Sequence, residues 1–194
     1  MVVRAVCAAL VPAVASGAVL ASCSAGTPRL DHADAASGSV ASTLDDPIPS
    51  VRHPKDLAAI PPCLLLTPAQ LDAQHIDQPG RPKNVLGNTG CEWSDTARTR
   101  QFVAFVDIGN DVLRNVYSQR DTIPVLEVTQ VAGQPAIRTM DDVHGTSCYF
   151  RVAAADTQTL ILRFTSLRPD RQDPCVPAKT FAETILNNLP PLQS

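Results

Sequence analysis

Four cysteines, Cys63, Cys91, Cys148 and Cys175, lie downstream of an apolar N-terminal leader, and this combination constrains the fold more than any other feature. A leader of that kind implies export to an oxidising environment, where an even set of thiols reads as a disulfide framework. Three pairings are open. Joining neighbours in sequence order, Cys63–Cys91 and Cys148–Cys175, is the expected arrangement. Each loop would then span about 28 residues and contribute roughly 3.5 kcal/mol by restricting the unfolded chain. The rival is a structural zinc site. It would need ligands at short spacing, but no two of these cysteines form a CxxC pair. The one histidine within reach is His144, four positions before Cys148.

The leader reads as a secretory signal peptide over residues 1–22. Arg4 supplies the positive start, Ala5 to Leu20 carries no charge, and the small residues Ala21 and Ser22 follow. The apolar run is interrupted by Pro12 and Gly17 and is short against the ~20 residues of a membrane span, so a retained transmembrane helix is the weaker alternative. Cys7 would leave with this segment. Leu20-Ala21-Ser22-Cys23 resembles the lipobox of bacterial lipoproteins, in which the cysteine receives a diacylglyceryl thioether and becomes the new N-terminus. The resemblance implies lipidation at Cys23 and a chain anchored on the extracytoplasmic side of the cell membrane. At roughly 0.8 kcal/mol per buried methylene, two or three acyl chains hold such an anchor essentially permanently.

Residues 23–61 are rich in Ser, Ala, Asp and Pro without a helical or strand period, which predicts a flexible tether or, at most, a small helix around Lys55–Ile60. The folded domain is expected over residues 62–190, with 191–194 as a tail. Thr67, Pro68 and Gln70 form a capping box opening a short helix with Leu71 on its inner side. Asp77 to Gly90, rich in Pro, Gly and Asn, reads as a loop. Strand patterns follow at Cys91 to Ser94 and Gln101 to Ile108, the second with Phe102, Ala104, Val106 and Ile108 on one face. A helix from Asp111 to Gln119 is predicted with Asn110 as cap and Val112 and Val116 buried. Two hairpins come next: Val125 to Val131 with Pro135 to Met140 around Ala132-Gly133-Gln134, and Ser147 to Ala153 with Thr157 to Thr165 around Ala154-Ala155-Asp156. Asp173 and Pro174 open a last helix whose apolar stripe is Ala178, Phe181, Ala182, Ile185 and Leu189. The expected fold is α+β: an antiparallel sheet of about five to six strands with helices packed on it and two disulfides.

The charge balance excludes one class of partner. Sixteen basic residues oppose nineteen acidic ones, and losing residues 1–22 removes only Arg4, leaving 15 against 19. The densest basic cluster is Arg98-Thr99-Arg100, and eight aromatic residues give no platform for bases, so no nucleic acid is expected as partner. Candidate chemistry is sparse. His144, Ser147 and Cys148 lie close in sequence but lack the Gly-x-Ser-x-Gly elbow of a hydrolase. Asp141 and Asp142 with His144 could offer metal ligands, yet adjacent aspartates fit a solvated turn. Glu92 beside Trp93 could be an acid with a raised pKa, although Trp93 is more simply core against a disulfide. No Walker loop, dinucleotide fingerprint or HExxH motif is present, and neither a catalytic set nor a cofactor is expected.

Taken in order, Pro62-Cys63, Leu65-Leu66-Thr67-Pro68, Gly90-Cys91-Glu92-Trp93, Val131-Ala132-Gly133-Gln134-Pro135-Ala136, Cys148 in a strand and Asp173-Pro174-Cys175 at a helix start resemble the actinobacterial lipoproteins of domain of unknown function 3558. That family includes mycobacterial lipoproteins of the LprB and LprC type. The likeness covers about residues 60–190 and implies an exported lipoprotein, but it carries over no activity and no ligand residues. The function expected is a non-catalytic module for an apolar or cell-wall ligand, or for an envelope protein, held between sheet and helices. A regulatory partner of a membrane protein is the alternative, and an envelope hydrolase using Glu92, Asp141, Asp142 or His144 is the third reading.

Overall fold

Several runs of alternating apolar and polar residues pair, with less regular segments, into one antiparallel sheet. A computed structural model describes residues 46–167 and 173–193. The strands are β1 (Arg81–Val85), β2 (Asn88–Ser94), β3 (Arg100–Ile108), β4 (Val125–Val131), β5 (Gln134–Met140), β6 (Ser147–Ala155) and β7 (Gln158–Ser166). They lie in the order β1-β2-β3-β7-β6-β5-β4. The helices are α1 (Pro68–Ala73), α2 (Val112–Ser118) and α3 (Cys175–Asn188), with 3-10 turns at Pro62–Leu64 and Arg120–Thr122. The α+β class stands, but the sheet has seven strands rather than five or six.

The extra strand comes from the segment read as a loop. Pro82 in β1 suggested irregular chain, because proline removes a ladder donor. In β1, however, Pro82 pairs with Cys91 at a sheet edge, between the positions of Arg81 and Lys83, and all five residues of the strand are exposed. An edge strand tolerates that loss and, with Pro and charged residues, also discourages pairing with another chain. The turns are shorter than expected. Ala132 and Gly133 have φ of +49° and +77° and close a two-residue hairpin, so Gln134 pairs with Val131. The β6–β7 turn falls at Asp156-Thr157, because Ala154 and Ala155 stay in β6, with a register irregularity between Ala153 and Ala155.

One sheet face carries the core. Trp93, Phe102, Leu160, Leu162 and Phe164 meet α3, whose Ala178, Phe181, Ala182 and Ile185 are each fully buried. Leu189 is buried as predicted, although it stands just past the helix end. Cys63–Cys91 ties the Pro62–Leu64 turn to β2, and Cys148–Cys175 ties α3 to β6, as the sequence order suggested. The Thr67–Gln70 capping box forms at α1. At α3 the Asp173 carboxylate accepts the Cys175 N–H at 2.9 Å.

Several boundaries move. The cap of α2 is Asp111, which accepts from the Arg114 N–H, whereas the Asn110 side chain turns back to Asp107. The buried residue of α2 is Leu113, with Val112 and Val116 only part-buried, and Ile108 is half exposed at its strand end. Residues 46–61 pack on the domain, so the boundary at 61/62 is corrected. Ile48 and Leu57 are buried, Leu57 N–H donates to Gln158 at 2.6 Å and Lys55 N–H donates to Ala154 at 2.7 Å. Composition missed this because the buried apolar residues are isolated rather than periodic. No helix forms at Lys55–Ile60; Lys55 instead bridges Pro191. The tail also folds back, with Leu192 N–H donating to Pro54 O at 2.9 Å. The signal segment 1–22, Cys23 and tether residues 24–45 lie outside the described residues.

Candidate functional site

The second face of the sheet is only partly covered. Near the β4 edge, α2 and Ile48 bury Ile137 and Ala153. No described helix lies over the middle, where the antiparallel register sets two rows of side chains. Glu92, Val103, Arg163, Tyr149, Thr139 and Leu126 stand side by side on β2, β3, β7, β6, β5 and β4. The adjacent row runs Gly90, Phe105, Ile161, Arg151, Ile137 and Val128. Gly90 has a packing role: a Cβ there would come within 2.5 Å of the Phe105 ring, which lies over it.

Two arginines dominate this face. Arg151 and Arg163 are on neighbouring strands, diagonal to one another and both part-buried. Arg151 donates to Thr139 Oγ1 at 2.8 Å and lies 5.7 Å from the Tyr149 ring centroid. Arg163 donates to Gln101 Oε1 at 3.3 Å. Among the described residues neither forms an ion pair. Burial pushes the Arg151 guanidinium below its ordinary pKa, although the Asp141 charge partly offsets this. Asp141 itself is engaged by the Tyr149 hydroxyl at 3.2 Å. A guanidinium that gives up water without an ion-pair partner is costly, which makes such a group a candidate for ligand contact. Hydroxyls of Ser147 and Thr165, 2.9 Å apart, complete a polar border.

The sequence candidates behave differently. Glu92 points to this open face, away from Trp93, and pairs with Lys83 at 2.9 Å. Trp93 faces the core, edge-on to Phe181 at 6.0 Å. Four strand steps separate β2 from β5, roughly 19 Å at ~4.8 Å each, so Glu92 does not converge with Asp141. Asp142 accepts the His144 N–H at 3.1 Å and forms a turn. Cys148 is fully buried, with its sulfur committed to Cys175. No three potential metal ligands gather among the described residues. The space between sheet and α3, where a ligand was expected, is filled by Phe102 stacked on Phe181 at 3.6 Å. A cleft of about 330 Å³ lies among Pro49, Val51, Leu113, Asp156 and Thr159. Its one cation, Arg114, is held by Asp46 and Asp111, whose hydrogen bonds raise its pKa further.

Arginines on a strand look like solvated surface in the sequence. The usable signal was the even spacing of Tyr149 and Arg151, which puts both on one strand face, opposite Cys148, Phe150 and Val152.

A family model described as Protein of unknown function (DUF3558) matches residues 18–188. No curated protein and no solved structure matches the chain.

Proposed function

We propose that this chain, which belongs to the DUF3558 family, is an envelope lipoprotein of the actinobacterial LprB and LprC kind, anchored through Cys23, that binds an oxyanion-bearing ligand without catalysis. The observation that carries the binding reading is the pair Arg151 and Arg163 on a sheet face that no described helix covers, neither of them in an ion pair among the described residues. These cations stand out on a chain of net charge −3. Guanidinium groups recognise carboxylates and phosphates through paired, charge-assisted hydrogen bonds. Phe105, Ile161 and Tyr149 beside them supply an apolar ledge.

Anchoring is supported by the Leu20-Ala21-Ser22-Cys23 pattern after an uncharged leader, together with four cysteines paired as in exported proteins. No described helix is long and apolar enough to cross a membrane. Labelled palmitate fed to cells should be incorporated into the wild type and lost in Cys23→Ala.

Binding is checked on the mature chain carrying Cys23→Ala, titrated with inorganic phosphate and with a uronic-acid oligosaccharide in a calorimeter. Arg151→Gln and Arg163→Gln should each weaken binding by roughly tenfold or more, as the loss of one charge-assisted hydrogen bond implies. Arg151→Gln should leave thermal stability unchanged or raised, because it removes a desolvated charge. Heat signals absent for both probes, or unaltered in both variants, would refute the oxyanion reading.

A further inference from the structure

Leu86 sits at the tip of the β1–β2 hairpin, 99% exposed and with φ of +51°. Both features are unfavourable. With Gly87 at +87°, the turn has positive φ at both central residues, a geometry made for Asn-Gly or Asp-Gly. A leucine Cβ crowds the following carbonyl in that region. The equivalent turn at Ala132-Gly133 uses a small residue. Gly87 and the five β1–β2 pairs already fix the hairpin register, so the fold gains nothing from an apolar residue at position 86. A local rule broken without a packing return is the kind of departure found at functional or strained positions.

The location of the tip indicates what covers it. The strand register puts Leu86-Gly87, Ala132-Gly133, Asp156-Thr157 and Ile108 at one end of the sheet. The described chain begins at that end too: Asp46 pairs with Arg114 in α2, and Ile48 packs with Leu113 and Ala153. Residues 24–45 therefore join Cys23 to the end of the domain that carries Leu86, and could span at most ~80 Å. Val85 and Ile108, 49% and 50% exposed, widen the apolar tip. Residues 85–90 carry no charge, and the nearest cation, Lys83, is paired across the strands with Glu92, so a contact of this tip with a leaflet would be apolar.

We infer that the Val85–Leu86 tip is a second membrane contact, inserted into the leaflet that holds the lipid on Cys23, so that the sheet stands with this end towards the membrane and the arginine face to one side. The inference rests on the anchoring of Cys23. One leucine is too small to hold a protein on a bilayer unaided. The anchor already keeps the domain within reach, so insertion is an intramolecular step at high effective concentration.

The lipidated chain carrying Leu86→Trp, in phosphatidylglycerol–phosphatidylcholine vesicles with brominated acyl chains, tests this. Trp93, the sole native tryptophan, is buried and gives a constant background. Emission from position 86 should fall roughly twofold against unbrominated vesicles, since an inserted tip lies about 5–10 Å deep. Ala97→Trp, in the loop at the opposite end, should be unaffected. Equal quenching at both positions, or none at 86, overturns the inference. Mass spectrometry of Cys23 separates the two ideas: lipid present without quenching at 86 leaves anchoring intact and removes only the second contact, whereas lipid absent removes both. A second variant, Leu86→Asn, should raise the thermal midpoint of the protein in solution, because Asn-Gly suits the turn. A lowered midpoint would mean that Leu86 serves the fold, and would also overturn the inference.

Discussion

Reduction of both disulfides is expected to abolish cooperative folding of the domain at 37 °C. Cys63–Cys91 and Cys148–Cys175 close loops of 28 and 27 residues. Each is worth about 3.5 kcal/mol in the chain-entropy model. Lost together, they compare with the whole 5–15 kcal/mol that holds a typical domain. Their placement adds to the effect. Cys91 and Cys148 are fully buried, and each sulfur fastens a peripheral element to the sheet: the Pro62–Leu64 turn in one case, α3 in the other. α3 depends on its bridge, because beyond the single Asp173 contact its first turn has no acidic residue to favour the helix dipole. Circular dichroism melts of the oxidised protein, with and without dithiothreitol, are the measurement. The double replacements Cys63→Ala/Cys91→Ala and Cys148→Ala/Cys175→Ala should each lower stability by about 3 kcal/mol. A reduced protein that still melts in one sharp transition near the oxidised midpoint would contradict the expectation.

The elements most legible in the sequence were those with a strong local signal. The α3 stripe, the capping box at Thr67 and Gln70, and the pairs of strands around Ala132-Gly133 and Asp156 all follow from periodicity or turn chemistry. The disulfide pairing followed from chain order, which works here because each bridge joins elements that are also close in the fold. What escaped depended on contacts distant in sequence. β1 has no buried residue and exists because β2 offers it an edge. Residues 46–61 are ordered by single anchors, such as Leu57 N–H on Gln158 and the Gln134 amide on His53 O at 2.6 Å. No window of local composition reveals such contacts. The candidate site was illegible for the same reason. Arg151 and Arg163 become neighbours only once β6 and β7 pair, and the face is a candidate only because α2 covers one part of it and leaves the other open.

Phe181→Ala is expected to be the most damaging single substitution in the core, at about 4 kcal/mol. The ring is fully buried at the centre of α3. It stacks on Phe102 with centroids 3.6 Å apart and meets Trp93 edge-on at 6.0 Å. These rings, with Phe164 tilted against Phe102 at 4.6 Å, form the contact between helix and sheet. Truncation therefore removes the transfer free energy of a large side chain and leaves a hole that cannot close. Trp93 is fully buried, with Gly80 packed closely against its indole nitrogen. Phe102 is pinned between its pairing partners Trp93 and Phe164. Sites that cannot collapse lie at the upper end of the cost range. For a domain of this size, 4 kcal/mol corresponds to a fall in Tm of roughly 8–16 °C. Val176→Ala, on the exposed side of the same helix, should change stability by less than about 0.5 kcal/mol. Urea unfolding of the two variants with the disulfides intact separates packing from helix propensity, since both replacements introduce the same good helix former. Similar losses in the two would mean that α3 is held to the sheet chiefly by Cys148–Cys175 and that the aromatic contact contributes little.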